Sequence, residues 1–283
     1  MRGGPRHIVG FLALAAGCRS APPAVPGGSQ ASYDVYAVRY GTLPNFPVRG
    51  LVAGADSARR MDVAAMVWLV RAPGRLVLVD AGFYRDSFMR RWKPADYVRP
   101  DSAIARLGVT PGDITDIIVT HVHWDHMDGI DLFPRARVWI QREEYDYYIG
   151  PGGLPAHPGV DSGDAAVLAS LRARGRVTLV NGDRSEVIPG ITLYTGGRHT
   201  FASQFAGVRT RAGTVVIASD NLYLYENLDR RRPIAQTFDS LSNLAAQDRM
   251  RRIASALRLI VPGHDPAVFE RFPTPGHGVA KIE

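Results

Sequence analysis

The chain of 283 residues contains one cysteine, Cys18. A lone thiol excludes an intramolecular disulfide in any compartment. It also leaves a metal site in the folded part of the chain to imidazole and carboxylate alone. Lysine is nearly absent: all but two of the 34 basic residues are arginine, the exceptions being Lys93 and Lys281. The net charge is +7, yet the arginines are scattered and no nucleic-acid motif accompanies them, so no nucleic-acid partner is expected. Long apolar runs are missing as well. Residues 8–16 are apolar, but a membrane-spanning helix needs about 20 such residues.

What is present begins with an address. Arg2 and Arg6 precede the short apolar run, which ends in Leu14-Ala15-Ala16-Gly17-Cys18. This resembles a bacterial lipobox, with Ala15 where leucine is commoner. The resemblance implies a lipoprotein signal peptide over residues 1–18 and lipidation of Cys18. Residues 19–31, rich in Ala, Pro, Gly and Ser, suit a flexible tether. The implied location is the bacterial cell envelope, exported and lipid-anchored at the periplasmic face of a membrane. Residues 32–283 contain no linker-like stretch and are expected to form one domain; 46% of the chain is apolar, enough for a sizeable core.

Along that domain, 33–40 reads as a strand and 43–60, with Pro44, Pro47, Gly50 and Gly54, as a loop. Two apolar runs, 64–71 and 75–79, flank Ala72-Pro73-Gly74 and predict a hairpin. The second run ends in Asp80, either a brace for a metal ligand or a turn cap. Segments 86–92, 102–107, 143–149, 164–174 and 239–257 read as helices. Strands are expected at 138–140, 177–180, 191–194, 205–210, 215–219 and 259–261. The glycine- and proline-rich stretch 150–163 is a lid, a pocket wall or a plain loop. His157 within it is expected to face solvent.

The most informative stretch runs from Ile117 to Gly129. An apolar β-branched run ends in His121-Val122-His123-Trp124-Asp125-His126. Three imidazoles and a carboxylate within six residues, at the end of a buried strand, match the non-thiol ligands of zinc. Three later strands also end in a metal-ligating residue: His199 after 191–194, Asp220 after 215–217 and His264 after 259–261. Each is weak alone, but together with the first cluster they are specific.

With these residues the chain resembles the metallo-β-lactamase-fold hydrolases over residues 33–280. The resemblance implies an α/β fold, a four-layer αβ/βα sandwich with metals at one edge of two facing sheets. It implies two divalent metal ions, zinc foremost. His121, His123 and His199 would hold one, Asp125, His126 and His264 the other, and Asp220 would bridge them, leaving a shared position for hydroxide. The β-lactamase branch with a cysteine ligand is excluded, since Asp220 stands in that place.

Asp220-Asn221-Leu222-Tyr223 narrows the resemblance to the N-acyl homoserine lactonase (quorum-quenching) branch. That branch implies a small-molecule ester or lactone substrate, opened by a metal-bridging hydroxide. Tyr223 would hold the carbonyl oxygen and Asp125 would carry a proton to the leaving alkoxide. Two departures stand out: Ser203 where a second histidine is common, and Asp128-Gly129 in place of Gly-Gly. Phe46, Tyr145, Tyr147, Tyr148 and Leu154 are candidates to bind an acyl chain. A thioesterase or other ester hydrolase is the alternative, with Arg198 or Arg209 as cationic contacts. A membrane-tethered metal-binding protein without turnover is the alternative from another class. No oligomeric state is implied.

Overall fold

Runs of β-branched and apolar residues build two facing sheets in the computed structural model, which describes residues 1–4 and 32–283. Cys18, all but the first four residues of the signal segment and the whole tether 19–31 lie outside the described residues. In chain order the strands are β1 (Asp34–Pro47), β2 (Arg60–Ala72), β3 (Arg75–Val79), β4 (Asp116–Ile118), β5 (Arg137–Gln141) and β6 (Val177–Val180). They continue with β7 (Ser185–Ile188), β8 (Ile191–Thr195), β9 (Gln204–Thr210), β10 (Gly213–Ser219), β11 (Ile260–Pro262) and β12 (Val279–Ile282). The helices are α1 (Asp86–Trp92), α2 (Pro100–Ala103), α3 (Trp124–Met127) and α4 (Arg142–Tyr148). They are followed by α5 (Ser162–Ala173), α6 (Tyr225–Asp229), α7 (Ser240–Ile253) and α8 (Val268–Arg271).

One sheet has the order β12-β1-β2-β3-β4-β5-β6, the other β11-β10-β9-β8-β7. β3 to β6 run parallel, as do β10 and β11. β2 explains why the layers stack as they do. Ala64, Met66, Trp68 and Val70 face the second sheet, packing with Leu193, Val208, Val215 and Ile217. Val63, Ala65, Val67 and Leu69 face the other way, into a layer with Phe88 of α1 and Leu168 of α5. A strand buried on both faces must be apolar throughout, which is why 63–70 lacks polar alternation. On the far side of the second sheet, Leu228 of α6 and Met250 of α7 pack on Phe205 and Val216. The order helix, sheet, sheet, helix is the four-layer sandwich expected.

Several boundaries differ from expectation. β1 continues to Pro47: two irregularities in its pairing with β2, at Arg39/Gly41 and Leu43/Phe46, skip Tyr40, Pro44 and Asn45, while Gly41 and Pro47 keep partners on β2. The segment 102–107 is a short α2 running into a 3-10 turn. α7 is shorter than 239–257: the Asp239 carboxylate accepts from the amides of Leu241 and Ser242 and starts it, and the helix ends at Ile253. β7, β12, α6 and α8 are too short to announce themselves by periodicity. Among the described residues no helix is long and apolar enough to cross a membrane.

Candidate metal centre

Parallel strands carry their loops to the same edge, and here the C-terminal ends of β3, β4, β10 and β11 meet there, joined by the loop after β8. Asp80 follows β3, His121 and His123 follow β4, His199 follows β8, Asp220 follows β10 and His264 follows β11. Asp125 and His126 sit on the single turn of α3. Rigid strand ends thus bring together candidate ligand side chains contributed by distant parts of the chain.

Two groups result. The side-chain donor atoms of His121, His123, His199 and Asp220 lie within 4.8 Å of one another, and so do those of Asp125, His126 and His264. His123 Nδ1 is 3.1 Å from His121 Nε2 and 2.9 Å from His199 Nε2. Asp220 spans the groups: Oδ2 is 3.4 Å from His199 Nε2, and Oδ1 is 3.2 and 3.0 Å from the Nε2 atoms of His126 and His264. Asp125 Oδ2 is 3.6 Å from the same two nitrogens.

Hydrogen bonds behind the rings decide which nitrogen faces the centre. His126 Nδ1 donates to Asp80 Oδ2 at 2.8 Å, His199 Nδ1 to the Gln236 carbonyl at 2.8 Å, and His264 Nδ1 to the Ala64 carbonyl at 2.9 Å. Each fixes the tautomer that turns an Nε2 lone pair inward. Asp80 is therefore a brace. It also accepts from the Thr120 amide and the Thr120 and Ser219 hydroxyls. Asp80 (φ 59°) and Ser219 (φ 47°) are both left-handed, a conformation that turns their side chains back onto this network.

The donor set fits a cation. Three imidazole nitrogens and a carboxylate converge with their lone pairs facing one another, and buried His126 Nε2 and Asp220 Oδ1 have no hydrogen-bond partner. Burial, aided by the neighbouring imidazoles, drives His121 well below the ordinary imidazole range and His199 down to about 3. Both are neutral at pH 7, the ligating form. At the second group burial opposes charge too, but Asp220, Asp125 and Asp80 outweigh it and raise His126, while Asp220 and Asp125 raise His264. That pocket of carboxylates demands positive charge.

A cavity of about 270 Å³ opens over this centre. Its floor includes His123, Asp125, Asp220 and His264; its apolar wall is Leu43, Phe46, Leu51, Val63, Trp92 and Trp124. Trp92 stacks on Trp124 at 5.1 Å, and Phe46 on Trp92 at 6.2 Å. Tyr223 lines the same cavity, its hydroxyl 3.4 Å from His199 Nδ1. Burial, with Asp220 and Asp125 nearby, raises the phenol well above its ordinary range, so it stays a donor.

The profile of the Metallo-beta-lactamase superfamily matches residues 61–264. The chain belongs to that superfamily. It is 30% identical over 235 residues to Metallo-beta-lactamase domain-containing protein 1 of Rattus norvegicus, covering 79% of this chain and 76% of that protein. An N-acyl homoserine lactonase of Bacillus cereus is 31% identical over 165 residues, 57% of this chain and 60% of the lactonase. Among solved structures, a quorum-quenching N-acyl homoserine lactone lactonase superposes with a TM-score of 0.72 at 21% identity, covering 87% of this chain and 98% of that one. The dizinc lactonase AidC superposes at 0.64 with 14% identity, covering 90% and 95%. At those identities the likeness is one of fold, and the superfamily makes this chain a metallo-hydrolase.

Not every expected residue reaches the cavity. Phe46 does, but Tyr145, Tyr147, Tyr148 and Leu154 do not line it. The stretch 150–163 packs elsewhere: Gly153 sits against Ala169 of α5, and His157 stacks on Tyr147 at 4.0 Å. Arg198 lies over Phe201 instead of in the cavity. Ser203 donates to Asn221 Oδ1, which also accepts from the Gly197 amide, so it stitches loops together. Position 128 needs no glycine, because its backbone is helical (φ −56°). Gly129 does: a Cβ there would come within 2.2 Å of the Ala81 carbonyl.

Sequence reasoning missed the cavity-lining Arg91, Trp92 and Trp124, and one buried residue behind the centre. Glu144 of α4 is fully buried and accepts from the Val122 amide, the Thr200 hydroxyl and the Ala202 amide. It ties the His121–His123 loop to the His199 loop. A signal existed: Glu144 and Tyr148 are four apart, hence on one helix face, and that face is the buried one.

Proposed function

We propose that this protein is a lactonase working on two divalent metal ions, zinc foremost, with lactones of the N-acyl homoserine lactone kind as substrates. His121, His123 and His199 would hold one ion, Asp125, His126 and His264 the other, and Asp220 would reach both. Metal held there supplies Lewis acidity toward a carbonyl oxygen and lowers the pKa of a coordinated water toward about 7. The observation that carries the reading is Tyr223: a protonated phenol on the cavity wall beside the first group, held only by a long contact to His199.

Ring opening adds water across the acyl carbon–oxygen bond. The acyl carbon takes the hydroxyl and the ring oxygen takes a proton. Tyr223 donates to the carbonyl oxygen as negative charge develops on it, where a fixed donor is worth most. Asp125, at the cavity floor, takes the proton that the added water gives up and passes it to the departing ring oxygen. The wall of Phe46, Trp92 and Trp124 excludes water and packs the acyl part. The relatives named as N-acyl homoserine lactonases support the same choice.

The test is turnover by the purified zinc-loaded protein on acyl homoserine lactones, aliphatic lactones, thioesters, phosphodiesters and a β-lactam, with metal content measured alongside. Lactones should be the preferred class. Full metal occupancy with inert lactones overturns the proposal; thioester turnover alone would establish the thioesterase alternative, and saturable binding without turnover the non-enzymatic one. We propose in addition that Cys18 is lipidated and residues 19–31 tether the domain at the periplasmic face of a bacterial membrane. Cys18→Ser should then move the protein from the membrane fraction to the soluble one.

A further inference from the structure

The cavity is not electrically uniform. Its two carboxylates, Asp125 and Asp220, belong to the metal groups at the floor. One arginine also lines it: Arg91, an exposed residue near the C-terminus of α1. Neighbouring arginines are engaged with acids. Arg85 is paired with Asp128 and Asp164, Arg90 lies 3.8 Å from Asp86, and Arg99 lies 2.6 Å from Asp101. Among the described residues no carboxylate lies within 4.0 Å of Arg91. Its guanidinium carbon instead lies 5.4 Å from the ring of Trp92, the same indole that stacks on Trp124 in the cavity wall.

The cavity thus carries, besides its acidic floor, a cation with no acidic partner that rests on its aromatic wall. A guanidinium is weakly hydrated, keeps its charge at any working pH and matches the two oxygens of a carboxylate. A wall of tryptophan and phenylalanine suits the methylenes between a scissile ester and such a group.

We propose that Arg91 makes this site selective for esters or lactones whose acyl part ends in a carboxylate, such as those derived from a dicarboxylic acid. The inference rests on the ester-hydrolase reading above and narrows its substrate. The ester carbonyl sits over the metal groups, the methylenes run along Trp124, Trp92 and Phe46, and the terminal carboxylate meets Arg91. Arg91 takes no part in the bond-breaking step; it sets which acyl part is held.

The experiment compares two lactones matched in acyl length, one ending in a methyl and one in a carboxylate, with the zinc-loaded full chain. kcat/KM for the carboxylate-ended substrate should exceed that for its neutral partner by about five- to tenfold, the range of a partly exposed charge-assisted contact. Arg91→Ala should erase that preference while leaving the neutral substrate within about twofold, and Arg91→Glu should invert it. Raising the salt from about 50 to 500 mM should shrink the preference by screening. A neutral-substrate preference in the unaltered protein, or equal loss on both substrates in Arg91→Ala, overturns the proposal. If neither substrate turns over at full metal occupancy, the ester-hydrolase reading is what has failed. Calorimetric binding of a dicarboxylate against the monocarboxylate of equal length then decides the role of Arg91, which requires tighter dicarboxylate binding that Arg91→Ala abolishes.

Discussion

Replacing Glu144 by glutamine should loosen the metal site without touching a ligand. Oε1 of Glu144 accepts from the Thr200 hydroxyl at 2.6 Å and the Val122 amide at 3.2 Å, and Oε2 accepts from the Ala202 amide at 2.7 Å. Glutamine keeps the volume but offers one oxygen. With that oxygen at the Oε1 place, its NH₂ group faces the Ala202 N–H and leaves that donor buried and unpaired. The cost is about 1–3 kcal/mol. Relief of carboxylate burial offsets part of it, since burial pushes Glu144 up to about 7 despite its three donors. Glu144→Ala would strand all three donors beside a void and cost more. Because Val122 lies between His121 and His123, and Thr200 follows His199, the slack reaches the imidazoles. Metal affinity should fall about 10- to 100-fold, the range for groups that orient ligands. Competition with a chromophoric chelator measures the affinity, and thermal unfolding of the metal-free protein measures the stability separately. A Glu144→Gln protein that loses stability but binds metal within twofold of the unaltered chain would refute the clamp and leave Glu144 as an ordinary buried polar residue.

Tyr223→Phe should lower kcat/KM on lactones about 10- to 100-fold at unchanged metal content, at or below the usual range for one lost oxyanion donor because metal shares the load; an unchanged rate removes the phenol from the chemistry. Asp220→Ala should deplete both metal positions, because one carboxylate faces both groups; full occupancy by elemental analysis would refute its shared role. The third concerns pH and Asp164, whose carboxyl is pushed up to about 8 by burial and by Asp128, against the pull of Arg85. The folded chain keeps a proton there that the unfolded chain loses above pH ~4. Between about pH 4 and 8 the folded state therefore binds more protons, and this group's contribution to stability falls as pH rises through that window. Asp164→Asn should flatten the decline; identical slopes of stability against pH from 5 to 9 in the two proteins would count against it.

The candidate metal-binding residues were legible because their information is local, and the structure brings them together. A buried strand, an abrupt end and a His or Asp at the tip can be read wherever they occur, and four such tips in order carry the resemblance to the superfamily. The hairpin at Ala72-Pro73-Gly74 and the two apolar runs flanking it were legible for the same reason, through turn chemistry and composition. Asp80 was only half legible: a carboxylate at a strand end can brace or cap, and the choice depended on whether His126, 46 residues away, came within 2.8 Å. The aromatic candidates failed more broadly. Tyr147 and Phe46 are equally plausible pocket residues in a string of letters. One stacks on Phe201 at 4.0 Å, away from the cavity, and the other lines it.

By itself the sequence determined the kinds of donor, their order and most of the strands, because strand periodicity and ligand chemistry are properties of short segments; the two-sheet frame came only through the family those residues resemble. The tertiary structure alone decided which ring nitrogen faces inward, that Glu144 spans two loops, and that Arg91 shares a cavity with His264. Those facts are distances between segments up to about two hundred residues apart. They are set by sheet register and by where helices settle on the sheets, and no local pattern encodes them.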